Sequence, residues 1–365
     1  MPDHPPDHNL PRLAGRGAQT NPNNRFHPIH LHADYEQLEA DDEFFEGLSK
    51  VSTEYFEDDS QSILSENNSP DIPFRYSLNP YRGCAHGCAY CYARPTHEYL
   101  GLSAGVDFES KIFVKMRAAE LLSQHLTKKS WQPEPIMMSG VTDCYQPAER
   151  QFRITRACLE VARKFGQPIG IVTKNALITR DIDILADMAS HNLTRVAVSL
   201  TSLDQSLTRV LEPRTSSPAS RLRAMRELSS AGIPVIVMTA PIIPGLNDSE
   251  IPSLLQAARQ HGATFAGYTL LRLPLTVKPV FLDWLAKNVP GQQAKIEHLI
   301  QQTRDGGHNQ SQFGQRMRGS GAFAEHLSST FKIFAHKHQL QRQPPPLDCS
   351  RFALPAASTP QLWLF

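Results

Sequence analysis

The chain has 365 residues, 40% apolar and 20% charged, enough for a catalytic domain of ordinary size with ends that need not fold. No run approaches the roughly eighteen uncharged apolar residues of a membrane span, and the opening MPDHPPDHNL lacks the apolar core of a secretion signal, so a cytoplasmic protein without a membrane partner is expected. The net charge of +1 conceals an asymmetry: residues 1–70 hold fourteen Asp or Glu against four Arg or Lys, which leaves +11 on residues 71–365. Such a body suits either a polyanion such as nucleic acid or an ordinary solvated surface.

In chain order, residues 1–70 are rich in Pro, Asn, His and acids and poor in periodic apolar positions, so a largely disordered acidic extension is expected there. From Phe74 short β-rich runs alternate with amphipathic stretches. An opening strand near Arg75–Leu78 is followed by strands at Pro135–Ser139, Ile169–Thr173, Val196–Leu200, Pro234–Met238 and Phe265–Leu270. Helices are expected at Glu149–Phe165, Thr179–Ser190, Ala219–Ala231 and Glu250–His261. Strands separated by single helices imply βα units and a parallel sheet. Six such units predict an α/β fold, a partial (β/α)6 TIM-like barrel over 71–303, with chemistry at the C-terminal ends of the strands. Residues 304–342 read as a glycine-rich loop and a covering helix from Ala322 to about Lys337, and 343–365 as a Pro-rich linker with a docking tail.

Six cysteines in this length make no disulfide scaffold, and three crowd into YRGCAHGCAYCYARP. The spacing C-x-x-x-C-x-x-C, in a loop after the first barrel strand, lets Cys84, Cys88 and Cys91 converge on three irons of a cubane. The fourth iron is left open for a substrate chelate. The competing arrangement is structural zinc with His86 as fourth ligand, although a zinc site usually pairs two distant knuckles and no second one exists here.

This motif and its placement resemble the radical S-adenosylmethionine (radical SAM) superfamily over roughly residues 74–290. The resemblance implies a [4Fe-4S] cluster, S-adenosylmethionine cleaved to a 5′-deoxyadenosyl radical, and an electron donor of flavodoxin or ferredoxin type. Tyr90, before the third cysteine, matches the family's adenine-contacting aromatic; its alternative is an ordinary packed tyrosine. Ser139-Gly140-Val141-Thr142-Asp143 stands where many relatives bind the methionine amino group, a role that falls here to Asp143. Lys174 in VTKN, Ser199 and Thr201 in VSLTS, and Arg214 in EPRTSSPASRL are similar to the spore photoproduct lyase-like branch. Lys174 and Arg214 are then expected to pair with cofactor carboxylate or ribose, their alternative being surface cations. The lyase's hydrogen-donating cysteine is replaced by Gly140 and Val141, so the lyase reaction does not carry over directly. Cys144 is the candidate catalytic thiol from a shifted place, with simple packing as the alternative.

Gln361, Leu362, Leu364 and Phe365 resemble the QLxLF peptide that docks DNA-handling proteins on a sliding clamp; the other reading is an apolar tail folded on its own domain. A radical SAM enzyme of DNA or another nucleic acid, repair-type and lyase-like, follows as the expectation. The alternatives are radical modification of a peptide or small metabolite, and a non-catalytic zinc-stabilised clamp-binding module.

Overall fold

A computed structural model describes residues 12–27 and 51–355. Its strands in chain order are β1 (Glu54–Glu57), β2 (Leu64–Glu66), β3 (Tyr76–Leu78), β4 (Tyr81–Arg82) and β5 (Lys111–Val114), then β6 (Ile136–Met138), β7 (Ile169–Thr173), β8 (Thr194–Ser199), β9 (Val235–Ile242) and β10 (Phe265–Leu270). Two sheets result. The larger runs β10-β9-β8-β7-β6-β3-β2, with six successive strands parallel and β2 antiparallel at the edge. The smaller runs β1-β5-β4. The large sheet does not close, so the six expected βα strands form a partial barrel.

The strands read as apolar runs because the residues facing the helices pack directly on them. Ile136, Ile169, Ile171, Val196, Val198, Val235 and Val237 are almost wholly buried there. Helices form where apolar residues recur on one face: in Ile154–Phe165, residues Ile154, Cys158, Leu159, Ala162 and Phe165 are buried together. The helix Pro218–Ser230 starts on a Ser217 hydroxyl that accepts from the Ser220 amide, with proline in the first turn. The single helix expected over Glu149–Phe165 is broken, because Arg153 takes a left-handed conformation between Glu149–Phe152 and Ile154–Phe165.

The open edge at β10 is covered rather than left bare. The Leu270 amide donates to the Met317 carbonyl, and Ala266 to Gln341. The helix Gly321–Lys337 packs on Ile251–Gln260 and lays Phe331 on Tyr268, ring centroids 4.6 Å apart, as the expected cover. Across the gap, Arg316 pairs with Asp71 at 2.5 Å.

Disorder over residues 1–70 does not hold for the described parts of that segment. Residues 51–70 supply β1, paired with β5, and β2, paired with β3. Residues 12–27 lie against the cysteine loop, with Arg16, Ala18 and Asn24 buried. These stretches have little apolar content of their own. They are ordered by hydrogen bonds to the body, which leave no periodic signal in the sequence.

Among the described residues no helix is long and apolar enough to cross a membrane. The clamp-like tail, Gln361 to Phe365, lies outside the described residues.

Candidate active site

The cysteine loop follows β4 at the C-terminal end of β3. Cys84 and Cys88 are buried, Cys91 is partly so, and all three are free thiols. The loop is tight: the Cys84 amide donates to Phe108, Gly87 to Cys84 and Cys91 to Cys88. Two buried side chains brace it from beneath. Arg94 donates to the Cys88 carbonyl through Nε and Nη2, to Ala104 and Gly105 through Nη1, and to Glu109 at 2.5 Å. The second carboxylate oxygen of Glu109 accepts from the Gly17 amide at 3.0 Å, and the first also accepts from Ala18 at 2.7 Å. A Cβ at Gly17 would overlap the Gly87 carbonyl oxygen, and one at Gly87, φ +67°, would press on Glu109. Glycine is therefore required at both positions for close approach, and residues 15–18 act as a strap over the loop.

The thiols suit a metal cluster by their chemistry. Burial pushes Cys91 up to about 11 and Cys88 well above its ordinary value, and each is raised further by the neighbouring thiols. Such a group stays protonated unless positive charge is brought in, which iron does when it binds thiolate. Among the described residues no three Cys, His, Asp or Glu side chains gather tightly enough to hold a single ion. Cubane thiols sit on separate irons and need no such convergence. His86 cannot complete a zinc site, because Nδ1 faces Asp143 at 3.4 Å and Nε2 faces the Asn175 amide at 3.2 Å. Burial would lower His86, yet Asp143 and the neighbouring Cys84 raise it to about 9, which favours a protonated ring over the neutral one that a metal needs.

Around the loop the barrel rim carries a second buried network. Tyr90 donates its hydroxyl to Glu212, Thr201 donates to the same oxygen at 2.5 Å, and Arg221 pairs with the other. Burial alone would raise Glu212, yet Arg221, Lys174 and these hydrogen bonds bring it down to about 2. Lys174 stands over the Tyr90 ring at 5.8 Å, and Ser199 lends its carbonyl to Arg221 at 3.1 Å. Tyr90, Lys174, Ser199 and Thr201 thus meet at the C-terminal ends of β7 and β8.

Other expected site residues have different partners. Asp143 accepts from the Thr173 hydroxyl and from the amides of Lys174 and Tyr145, and lies 3.4 Å from His86 Nδ1, so its carboxylate is engaged by the protein itself. Arg214 reaches Gly15 at 3.1 Å and Thr53 at 2.9 Å, anchoring the strap instead of a ligand. Ser139 accepts from the Cys144 amide, Thr142 donates to the Tyr81 carbonyl, and Gly140 accepts from Tyr92. These three shape the loop after β6. Cys144 is fully buried in the main apolar core, where burial holds its thiol well above the ordinary value. Sequence reasoning missed Arg94, Glu109, Glu212 and Arg221. Glu212 and Arg221 lie inside the EPRTSSPASRL segment already singled out, whereas Glu109 meets Gly17 over 92 positions and carries no local signal.

A half-barrel with a three-thiol loop at its strand ends defines a class of iron–sulfur enzyme. Comparison with known proteins then identifies the family. The chain matches the radical SAM superfamily over residues 78–258. An uncharacterized protein of Mycobacterium tuberculosis is 36% identical over 234 residues, covering 64% of this chain and 69% of the relative. One of Methanocaldococcus jannaschii is 31% identical over 185 residues, covering 50% and 66%. A spore photoproduct lyase variant superposes with a TM-score of 0.57 at 17% identity over 80% of this chain and 81% of its own, a likeness of fold. Another, at TM-score 0.55 and 17% identity over the same shares, has bound AdoMet and dinucleoside spore photoproduct. The chain belongs to the radical SAM superfamily: it is an enzyme whose cofactors are a [4Fe-4S] cluster and S-adenosylmethionine, and it requires a one-electron donor.

Proposed function

We propose that this enzyme acts on DNA or another nucleic acid, in a repair-type reaction related to that of spore photoproduct lyase. The observation that carries this reading is the positive charge of the rim at the end of β10. There the end of β10 and the segment after residue 303 bring together Arg272 and Arg318, neither with a carboxylate partner among the described residues, beside the Arg316–Asp71 pair, on a body that carries +11 over residues 71–365. The fold is shared with a lyase whose solved structure holds a dinucleoside lesion.

In this reading Cys84, Cys88 and Cys91 hold the cluster, and Arg94 and Glu109 hold their loop. Tyr90 offers a ring for the adenine, with its hydroxyl fixed on Glu212. Lys174, next to that ring, is the cation available to the cofactor carboxylate. When bound, the reduced cluster and S-adenosylmethionine supply the 5′-deoxyadenosyl radical that abstracts hydrogen from substrate. Because Cys144 is sealed in the core, the chain contributes no thiol from that position, and the reaction departs from the lyase at the hydrogen-return step. A flavodoxin or ferredoxin would provide the electron.

The test is anaerobic reconstitution followed by measurement of 5′-deoxyadenosine with and without damaged DNA. Stimulation by DNA is expected. Turnover indifferent to nucleic acid but stimulated by a peptide or metabolite would sink the nucleic-acid reading while leaving the radical chemistry intact.

A further inference from the structure

Arg272 stands two residues beyond β10, at the rim where barrel chemistry sits. Its Nε is shielded from solvent with no hydrogen-bond partner, and Nη1 meets only the Met317 sulfur at 3.3 Å, a weak acceptor. The neighbouring charges do not relieve it. Arg316 is committed to Asp71 and Ser69, and Asp71 in turn also accepts from the Gly314 amide. Arg304 spends its guanidinium on the carbonyls of Leu270, Leu271 and Arg316. Burial lowers Arg272 below its ordinary value and Arg316 lowers it further, against Tyr92 and Asp71. Tyr92 directly follows Cys91, so the unrelieved guanidinium lies on the side of the rim next to the cluster loop. Arg318, over the Tyr268 ring at 4.5 Å, adds a second cation without a carboxylate partner among the described residues.

A guanidinium is a planar fork of donors that matches two oxygens of a phosphate or carboxylate, and leaving one half-buried and unpaired is unfavourable. We propose that Arg272 anchors an anion subsite on the barrel rim and that its ligand is a phosphodiester of the substrate strand. The identity of the ligand rests on the nucleic-acid reading above; the existence of the subsite rests on the surroundings of Arg272.

The test is calorimetric titration of the full, cluster-loaded protein with inorganic phosphate, with a short single-stranded oligonucleotide and with S-adenosylmethionine, for the wild type, Arg272→Gln and Arg272→Lys. Arg272→Gln should weaken phosphate and oligonucleotide about tenfold or more, the loss expected for a charge-assisted bond. Arg272→Lys should fall between, since it keeps the charge and loses the fork. Iron content and S-adenosylmethionine affinity should stay unchanged. Equal phosphate affinity in wild type and Arg272→Gln, or none in the wild type, overturns the subsite. Phosphate binding lost in Arg272→Gln with no oligonucleotide binding in either protein overturns the phosphodiester assignment and the nucleic-acid reading together. Oligonucleotide binding untouched by Arg272→Gln overturns the subsite and leaves that reading standing. A weakened S-adenosylmethionine affinity assigns Arg272 to the cofactor carboxylate and overturns the proposal.

Discussion

The surround of the cluster loop and the β10 rim next to it are built on opposite terms. On the cluster side the buried carboxylates are paired: Glu109 with Arg94, Glu212 with Arg221, Asp143 with His86. On the β10 side, Arg272 Nε, the Tyr268 hydroxyl and Gln310 Oε1 are buried with no partner. The unpartnered atoms on the cluster side are of another kind. His97, between Phe108 and Phe113, is lowered to about 4 by burial and so sits neutral, and Arg16 has only Nε unpaired, its other nitrogens being bonded. A site that must hold a fixed cofactor gains from a saturated, rigid surround, whereas a site that must take in a ligand keeps donors unspent.

Substitutions that strike the saturated side should therefore cost most. Replacing Cys84, Cys88 or Cys91 by alanine should abolish iron incorporation, while Cys144→Ala should keep both iron and cofactor cleavage; iron analysis and the reduced-state EPR spectrum compare the four directly. Glu109→Gln leaves Arg94 buried and uncompensated and should cost about 3–5 kcal/mol in denaturant unfolding. If its stability equalled the wild type's, the brace beneath the loop would be unimportant. Gly17→Ala forces the strap off the Gly87 carbonyl at a cost of about 1–3 kcal/mol, the usual penalty of overpacking. It should hasten cluster bleaching in air, followed at visible wavelengths.

Glu212 sharpens the contrast through pH. Its folded value of about 2 lies below the ordinary 4.5, so its stabilisation is complete above about 4.5 and is lost as pH falls toward about 2. Denaturation of the apoprotein across that window should show an acid limb that Glu212→Gln lacks. The smallest effect belongs to the other side. Arg272→Gln removes a cation that pairs with nothing and should change unfolding stability by less than about 1 kcal/mol, far below Glu109→Gln. A loss as large as that of Glu109→Gln would erase the difference between the two sides.

Legibility in the sequence follows the same division. Ile169–Thr173 and Phe265–Leu270 coincide with β7 and β10 because apolar runs between amphipathic helices are a local pattern. The thiol triad was legible because its three cysteines share one loop. The partners of Asp143 and Arg214 were not legible because residue type and strand-end position do not say which partner a charge finds. One is consumed by His86 and backbone amides, the other by the strap.

From sequence alone came the α/β barrel, the order of its units, the cysteine triad and the family it resembles, all carried by periodicity and short spacing. Tertiary structure alone decided which carboxylates brace the loop, that a polar N-terminal segment is strapped over it, and that the half-buried Arg272 is left unpaired. Those outcomes depend on contacts between residues tens to hundreds of positions apart, whose geometry exists only once the chain has folded.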